Sequence, residues 1–274
     1  MQKLKTPDLQ LLHDTNAPES INAQDHPFAV QGLTVAYHHK PVLWGVSYSA
    51  PKGCLTAIIG PNGAGKSTFL KAALGLIPKL SGETKVFGAP IKKALKNIAY
   101  VPQRSAVDWD FPATAIDVVL MGLYGQIGWF RWPSRKHRET ALNCLKSVGM
   151  QDFANRQIGQ LSGGQQQRVF LARALAQDAE MYLMDEPFAG VDAATEKAIV
   201  MVLRKLVADG KTVLVVHHDL ETVRDYYSHI LLLNGQHIAD GPVETTFTSE
   251  NLQKAYGGRL ASTQLDGLSQ ASGA

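Results

Sequence analysis

Cysteine is scarce in this chain, with only two residues, Cys54 and Cys144, among 274. Cys54 stands just before a glycine-rich loop and Cys144 lies in a helical pattern, so nothing in their positions suggests a pair. A fold held together by disulfide bonds is therefore excluded. We interpret both cysteines as buried, reduced thiols of a cytoplasmic protein.

Excess charge is also small. The chain has 27 Lys and Arg residues against 24 Asp and Glu residues, which gives a formal net charge of +3. Proteins that bind nucleic acids usually concentrate basic residues in a patch or stripe. We therefore predict no nucleic-acid partner.

Long apolar runs are missing as well. A membrane-spanning helix needs roughly 18 or more consecutive apolar residues. The most apolar stretch, residues 116–130, is interrupted by Asp117, three glycines and Gln126. Residues 1–25 also lack the apolar segment of a secretory signal peptide. We expect a soluble chain, and any role at a membrane would come through a partner protein.

Short apolar runs alternate with helical patterns along most of the chain, which predicts an α/β fold with a largely parallel sheet. Buried strands are predicted at 55–59, 181–184 and 212–216, and an antiparallel strand pair within residues 28–49. From 112 to 176 the spacing becomes helical, so we predict an inserted helical subdomain at about 112–176. The polar ends, 1–26 and 261–274, are predicted to be flexible tails of one domain at 27–260.

A glycine-rich segment follows the first predicted buried strand. Its residues Gly60, Pro61, Asn62, Gly63, Ala64, Gly65, Lys66 and Ser67, here named the phosphate loop, match the pattern G-x-x-x-x-G-K-[ST]. Glycines let the backbone N–H groups turn towards phosphate oxygens, and the following helix adds a favourable dipole. Lys66 would reach the β- and γ-phosphates of ATP, and the Ser67 hydroxyl would bind Mg²⁺. The alternative is a glycine turn that merely caps a helix.

Two further predicted strands end in chemically active side chains. Asp185 is placed to hold Mg²⁺, directly or through water, and Glu186 to polarise the attacking water as a general base. His217 and His218 end the strand at 212–216. Neighbours on an extended chain point to opposite faces, so we expect no shared metal and assign to His218 the contact with the γ-phosphate and the attacking water.

The segment Leu161-Ser162-Gly163-Gly164-Gln165 precedes a helix predicted over 166–176. Ser162 and Gln165 form an S-x-x-Q capping box, which starts a helix. A helix N-terminus opened by two glycines can also present N–H groups to a phosphate. The segment therefore predicts a second anion site.

Together these motifs resemble the nucleotide-binding subunit of an ABC transporter over about residues 28–260. The 161–165 segment looks like the family signature, and residues 181–186 look like its Walker B strand. The resemblance implies a P-loop NTPase fold with a RecA-like core, an N-terminal antiparallel β subdomain and an inserted helical subdomain. It also implies four more nucleotide-site residues. Tyr37 would stack on adenine, with a packed strand aromatic as the alternative. Thr68 would lie beside Ser67, Gln103 of the Q-loop would reach Mg²⁺, and Asp192 would belong to the D-loop.

The resemblance further implies a head-to-tail homodimer with two ATP molecules between the subunits. Each ATP would lie between one phosphate loop and the partner's Ser162, Gly163 and Gly164. Integral membrane permease subunits would hold the dimer at the cytoplasmic face of the plasma (inner) membrane. Two positions depart from the commonest pattern, since the D-loop reads Ala-Gly-Val-Asp over residues 189–192 and His217 replaces a frequent threonine. Neither change removes a catalytic group.

Three stretches, 107–112, 124–130 and 188–192, narrow the resemblance to the ATPases of manganese, zinc and iron importers. The implied function is to power import of a divalent metal, most simply manganese, which an extracytoplasmic binding protein captures. The metal itself would not touch this chain. Trp109 and Phe111, which alternate with Asp108 and Asp110, are expected to line a groove for a permease helix, and core packing is the alternative.

Two other functions compete with a transporter subunit. A soluble ABC-type ATPase acting on ribosomes or DNA usually has two cassettes or a long coiled-coil insertion, and the sequence shows neither. A non-hydrolysing scaffold would be favoured by loss of Lys66, Asp185, Glu186 or His218, and all four are present.

We expect Lys66→Ala to abolish ATP hydrolysis and to weaken ATP binding strongly. The change removes the mobile cation that faces the β- and γ-phosphates, where charge-assisted hydrogen bonds are strong. Steady-state ATPase assays and nucleotide titration of the purified protein measure both effects. Near-normal turnover would contradict the assignment of the phosphate loop.

Overall fold

Two sheets of different kinds and a group of helices make up the fold. The computed structural model describes residues 25–37, 40–109, 111–128 and 131–258. The predicted tails lie outside these residues except for 25 and 26, and so do Asp110, Trp129 and Phe130. The strands are β1 (Phe28–Tyr37), β2 (Lys40–Ala50), β3 (Leu55–Ile59), β4 (Ser81–Val86), β5 (Ala89–Pro90), β6 (Ile98–Val101), β7 (Met181–Asp185), β8 (Thr212–Val216), β9 (His229–Leu233) and β10 (His237–Pro242).

The helices vary from one turn to more than four. They are α1 (Lys66–Ala73), α2 (Ile91–Ala94), α3 (Ala115–Met121), α4 (Tyr124–Ile127), α5 (Arg135–Ser147), α6 (Gly163–Ala176), α7 (Ala193–Ala208), α8 (Val223–Tyr226), α9 (Val243–Thr246) and α10 (Ser249–Tyr256).

The smaller sheet is antiparallel, with strand order β2-β1-β4-β5. β1 and β2 pair from Phe28 opposite Ala50 to Tyr37 opposite Lys40. The antiparallel pair predicted within 28–49 is therefore confirmed. Buried and exposed residues alternate along β1, because one face packs on the core and the other meets solvent.

The larger sheet is mainly parallel, in the order β10-β9-β3-β8-β7-β6. Every residue of β3, β7 and β8 is buried, as expected for strands covered on both faces. Ile58 faces the antiparallel sheet and α1, whereas Ala57 and Ile59 face the helical side. Because β3, β8, β7 and β6 run parallel as direct neighbours, their carboxyl ends meet at one edge.

The predicted helical insertion is confirmed, since α3 to α6 lie between β6 and β7 in the chain. Its apolar residues, such as Val119, Leu145 and Val169, join the same core cluster as one face of the parallel sheet. α6 begins at Gly163 rather than at 166, because the capping box of Ser162 and Gln165 forms as predicted and starts the helix three residues earlier.

The expected burial of both cysteines is wrong. Cys54 and Cys144 are free thiols, as predicted, but each is only half-buried. Partial desolvation raises the pKa of the Cys54 thiol and raises that of Cys144 to about 11. Since the thiolate is the nucleophile, neither cysteine is primed for reaction at neutral pH.

One histidine is part of the core. The His217 side chain is buried, its Nε2 lies 2.8 Å from Thr222 Oγ1, and the rings of Phe188 and Tyr227 lie 5.5 and 5.1 Å away. Burial, with a smaller contribution from His218, lowers the pKa of His217 to about 4. The folded protein therefore needs the neutral imidazole.

A glycine at the end of α3 sets how closely the helices of the insertion pack. A Cβ at Gly122 would lie 2.3 Å from the Arg173 carbonyl oxygen of α6. We expect Gly122→Ala to lower the free energy of unfolding by about 1–3 kcal/mol, because the backbones must separate. Gly125→Ala is the matched control, since a Cβ there meets nothing within 4 Å, and urea titration of both variants measures the difference. Equal stability of the two would contradict close packing at Gly122.

Stability should also depend on pH through His217. An unfolded histidine has a pKa near 6.5 and the folded one about 4, so between these values the unfolded state binds more protons. The resulting loss of stability begins as pH falls below about 6.5, and near pH 4 the free energy of unfolding is lower by about 3 kcal/mol. We expect His217→Thr to flatten this part of the stability profile, whereas His218→Thr should change it only slightly, because it removes the smaller cause of the lowered His217 pKa. Denaturant titrations across pH test this, and equal profiles for wild type and His217→Thr would refute it.

Candidate nucleotide-binding site

Four neighbouring strand ends converge on one edge of the parallel sheet. The phosphate loop follows β3, Gln103 follows β6, Glu186 follows β7, and His217 and His218 follow β8. In open parallel sheets, the edge formed by the carboxyl ends of the strands is where ligands bind. The pairing of the strands therefore brings the site residues predicted from the sequence to one edge of the sheet.

The phosphate loop is shaped by contacts that only glycine permits. A Cβ at Gly60 would lie 1.9 Å from the Leu233 carbonyl oxygen, and one at Gly65 would lie 2.6 Å from Leu43 Cδ2. Gly65 also has a positive φ of 87° as the N-cap of α1. The ends of β2 and β9 thus hold the loop closely, so its backbone is preorganised.

Lys66 is held over the loop. Its Nζ donates hydrogen bonds to the carbonyl oxygens of Gly60, at 2.7 Å, and Pro61, at 3.0 Å. Burial lowers the pKa of Lys66, and the nearby charges of Glu186 and Asp185 oppose that effect. A largely buried cation bonded only to neutral carbonyls would gain from an anionic partner.

Asp185 is the most deeply buried acid of this edge, with 0% of its surface exposed. Its Oδ1 accepts a 2.6 Å hydrogen bond from Ser67 Oγ, and Lys71 Nζ lies 3.9 Å from Oδ2. Oδ2 has no hydrogen-bond donor among the described residues. Burial raises the pKa of Asp185, whereas Ser67 and Lys71 act to lower it.

The oxygen atoms of Asp185 and Ser67 fit a magnesium ion. Mg²⁺ is a hard cation that prefers carboxylate and other oxygen ligands, together with substrate phosphates. The Oδ2 atom of Asp185, which has no donor within the described part of the chain, is an unused ligand, and a cation there would offset the cost of burying the carboxylate. The residues present therefore satisfy the chemistry that the sequence predicted for this metal.

Glu186 stands in a strained backbone conformation. Its φ is +52°, in the left-handed region that costs a non-glycine residue of order 1–3 kcal/mol and is often found at functional sites. Its Oε2 accepts a 2.7 Å hydrogen bond from Gln103 Nε2. Gln103, predicted to reach the magnesium ion, here holds the predicted general base.

Arg104 was not predicted, yet it ties this edge to the signature segment. Its Nε donates to Gln166 Oε1 at 3.0 Å, and Gln166 Nε2 in turn donates to the Ile158 carbonyl at 3.1 Å. A Cβ at Gly163 would lie only 3.2 Å from Arg104 Cζ. No sequence motif marks Arg104 beyond its position after Gln103, so only the fold reveals this contact.

The signature residues open α6 towards solvent. Ser162 is exposed and its Oγ caps the helix. Gly164 lies against Val191 and against Thr195 of α7. A Cβ at Gly164 would lie 3.6 Å from side-chain carbons of both residues. Among the described residues, no hydrogen bond joins Ser162, Gly163 or Gly164 to the phosphate loop of the same chain.

The remaining predicted residues take up varied positions around the edge. Asp192 caps α7, its Oδ1 accepting from Thr195 N at 2.8 Å. Tyr37 ends β1 and is 45% exposed, so it is not a packed core aromatic. Thr68 is half-buried on α1, and His218 is exposed beside buried His217, with ring centroids 6.0 Å apart.

The two aromatic residues expected to line a permease groove differ from each other. Trp109 is half-buried, its ring packs at a tilt of 59° against Phe170 with centroids 5.0 Å apart, and its indole N–H donates to the Arg104 carbonyl at 2.9 Å. Phe111 is 55% exposed. A cavity of about 340 Å³ lies here, lined by Gln103, Arg104, Ser105, Val107, Trp109, Ala189 and Gly190. Trp109 lines this cavity and Phe111 does not, and the contacts of Trp109 favour the packing alternative for that residue.

Comparison with known proteins agrees with this geometry. Residues 43–189 match the ABC transporter family. The chain is 59% identical to the zinc transport system ATP-binding protein TroB of Treponema pallidum (strain Nichols) over 243 residues, covering 89% of this chain and 91% of TroB. It is also 59% identical to the manganese transport system ATP-binding protein MntB of Bacillus subtilis (strain 168) over 234 residues, covering 85% and 94%.

A solved structure of a dimeric bacterial ABC transporter cassette superimposes with a TM-score of 0.71 at 30% identity, covering 79% of this chain and 98% of the cassette. The predicted fold class, a P-loop NTPase with a mainly parallel sheet, is thereby confirmed. With a family match over the phosphate loop and β7, and relatives of this identity along most of its length, the chain belongs to the ABC transporter family as an ATP-binding, ATP-hydrolysing subunit.

Proposed function

We propose that this protein hydrolyses ATP to power the import of a divalent metal ion, manganese or zinc in the first place and iron as a further candidate. The observation that carries the proposal is the joining of Lys66, Ser67, Asp185 and Glu186 at one sheet edge. The two relatives at 59% identity are a zinc and a manganese system. The equal identities support zinc and manganese alike and do not distinguish between them.

The chain's own groups would bind ATP as follows. Backbone N–H groups of the phosphate loop and the N-terminus of α1 would hold the phosphates, and Lys66 would leave its carbonyl partners for the β- and γ-phosphate oxygens. Thr68 would add a contact next to Ser67, and Tyr37 would stack on the adenine. Ser67, Asp185 and Gln103 would hold Mg²⁺, which when bound neutralises charge on the phosphate oxygens.

Hydrolysis would rest on Glu186 and His218. Glu186, as general base, would accept a proton from the attacking water, while His218 would orient that water and the γ-phosphate. The Gln103 amide donates to Glu186 Oε2 and would orient the carboxylate, whose Oε1 and remaining lone pairs are left to accept the proton.

A second copy of the chain would complete each site. Ser162, Gly163 and Gly164 are exposed or half-buried at the start of α6, and among the described residues none of them bonds to its own phosphate loop. In a head-to-tail homodimer they would present N–H groups to the γ-phosphate bound by the partner, with Asp192 near the shared boundary. The dimeric cassette of 30% identity supports the formation of a dimer.

Transport would require integral membrane permease subunits and, indirectly, an extracytoplasmic metal-binding protein. Among the described residues, none of the helices combines the length and the apolar content of a membrane span. Because its relatives are ATP-binding proteins of transport systems, we place the dimer peripherally, at the cytoplasmic face of the plasma (inner) membrane, with the catalytic domain at 27–260 and its helical subdomain at about 112–176. No nucleic-acid partner is proposed.

Glu186→Gln should separate ATP binding from cleavage. The amide keeps the shape and leaves Asp185 in place but cannot accept a proton, so we expect turnover to fall by about 100-fold or more while ATP still binds. Uncleaved ATP should then hold two subunits together. Gel filtration with light scattering at saturating ATP and Mg²⁺ should show a stable dimer, where the wild type is largely monomeric.

Glu180→Gln is the matched control, since Glu180 precedes the same strand but is exposed and pairs with Lys211. This variant should keep wild-type turnover and remain largely monomeric. A Glu186→Gln protein that binds ATP yet stays monomeric would count against the shared site, and one that hydrolyses at the wild-type rate would overturn the role of Glu186.

A further inference from the structure

A cationic and aromatic surface lies at the start of α5. It consists of Arg131, Trp132, Arg135, Lys136 and Arg138, and is here named the helix-tip surface. All five side chains are exposed, and Trp132 is 93% exposed, the most of any large apolar residue among those described. No ion pair involves these four cations within the described part of the chain.

This charge arrangement does not stabilise the helix that carries it. The first turn of α5 has no acidic residue and instead contains Arg135, Lys136 and Arg138. The N-terminus of a helix carries a partial positive charge, which disfavours cations there. Residues that disfavour the local structure and stabilise nothing else inside the fold are typical of a functional surface.

The positions of the cations suit a broad anionic surface better than a single acidic peptide. Successive residues of a helix turn by roughly 100°, so Arg135 and Arg138 lie about 60° apart on one side, and Lys136 lies about 100° from Arg135 in the other direction. A peptide lying along one face of α5 would meet only some of them. A plane approached by the tip of the helix would be met by all three.

Apolar groups lie beside the cations. A cavity of about 710 Å³ is lined by Leu120, Met121, Tyr124 and Trp132, among others, and Tyr124 is 61% exposed. The acid that lines it, Asp117, accepts hydrogen bonds from Thr114 as the capping box of α3. An exposed tryptophan next to arginine and lysine is typical of residues at the interface between membrane and water.

We propose that the helix-tip surface binds the anionic headgroups of a phospholipid membrane, with Trp132 entering the interfacial layer and the four cations contacting phosphates. Basic residues near a membrane surface add attraction for anionic lipids, and an aromatic residue adds apolar contact. This contact goes beyond the proposed transport function. None of the described helices is a membrane span. The contact would attach the chain directly to the bilayer, independently of any permease.

The test uses the purified full-length protein and sedimentation with vesicles. One set contains phosphatidylcholine alone, and the other contains about one third phosphatidylglycerol, which supplies the negative surface. We expect binding to the anionic vesicles only, weakened by salt. Each lost cation should weaken binding about fivefold, so that R135E/K136E/R138E weakens it by about a hundredfold or more. Trp132→Ala should weaken it without altering the salt dependence.

The matched control is K92E/K93E/K96E, which changes the same charge at three exposed lysines of α2 and the turn after it. This variant should keep most of the vesicle binding. All variants should keep wild-type ATPase activity, and none should melt below the wild type, since R135E/K136E/R138E places acids where the helix dipole favours them. Equal losses in the two triple variants would reduce the effect to net charge and overturn the proposal.

Absence of wild-type binding to anionic vesicles would also overturn it. If R135E/K136E/R138E then failed to co-purify with the membrane subunits, the surface would be assigned to a protein partner instead. Vesicle binding requires neither ATP cleavage nor a permease, so failure of the proposed transport function would leave this result unaffected.

Discussion

Parallel pairing of β3, β8, β7 and β6 is the constraint on which the rest of this structure depends. Four strand ends lie side by side only because each strand pairs in register with its neighbour, from Ile58 beside Val216 to Val101 beside Met184. The phosphate loop, the two carboxylates, the histidine pair and Gln103 are far apart in the chain. The sheet brings them to one edge, and its buried strands make that edge rigid.

The site formed there is costly for the folded state. A fully buried Asp185, a lysine with a lowered pKa and a left-handed Glu186 each oppose stability. Hydrogen bonds from Ser67 and Gln103 offset part of this cost. ATP and Mg²⁺ would offset more, which explains how binding can stabilise a site that is unfavourable without its ligand.

Two successive residues link the cleavage site to the signature helix. Gln103 holds Glu186, and Arg104 holds Gln166 on α6 while lying against Gly163. Trp109 contributes to this link rather than to a free surface, since it joins the Arg104 carbonyl to Phe170 on the same helix.

Much of this could be predicted from the sequence because the information is local. The phosphate loop, the buried strands and the capping box at Ser162 depend on residue type at short spacing, and the structure has all of them. The helical insertion follows from periodicity alone. The half-burial of both cysteines and of Trp109 could not be predicted, because burial depends on which distant elements pack against a residue.

The sequence by itself therefore determined which residues are proposed to carry the chemistry and in which order the elements occur. Only the tertiary structure decided their partners: Gln103 with Glu186, Arg104 with Gln166, His217 in an aromatic core. It also decided that the cations at the start of α5 stay exposed and without ion pairs within the described residues. The physical reason is that hydrogen bonds, burial and charge pairing act through space, between side chains whose separation along the chain leaves no local trace.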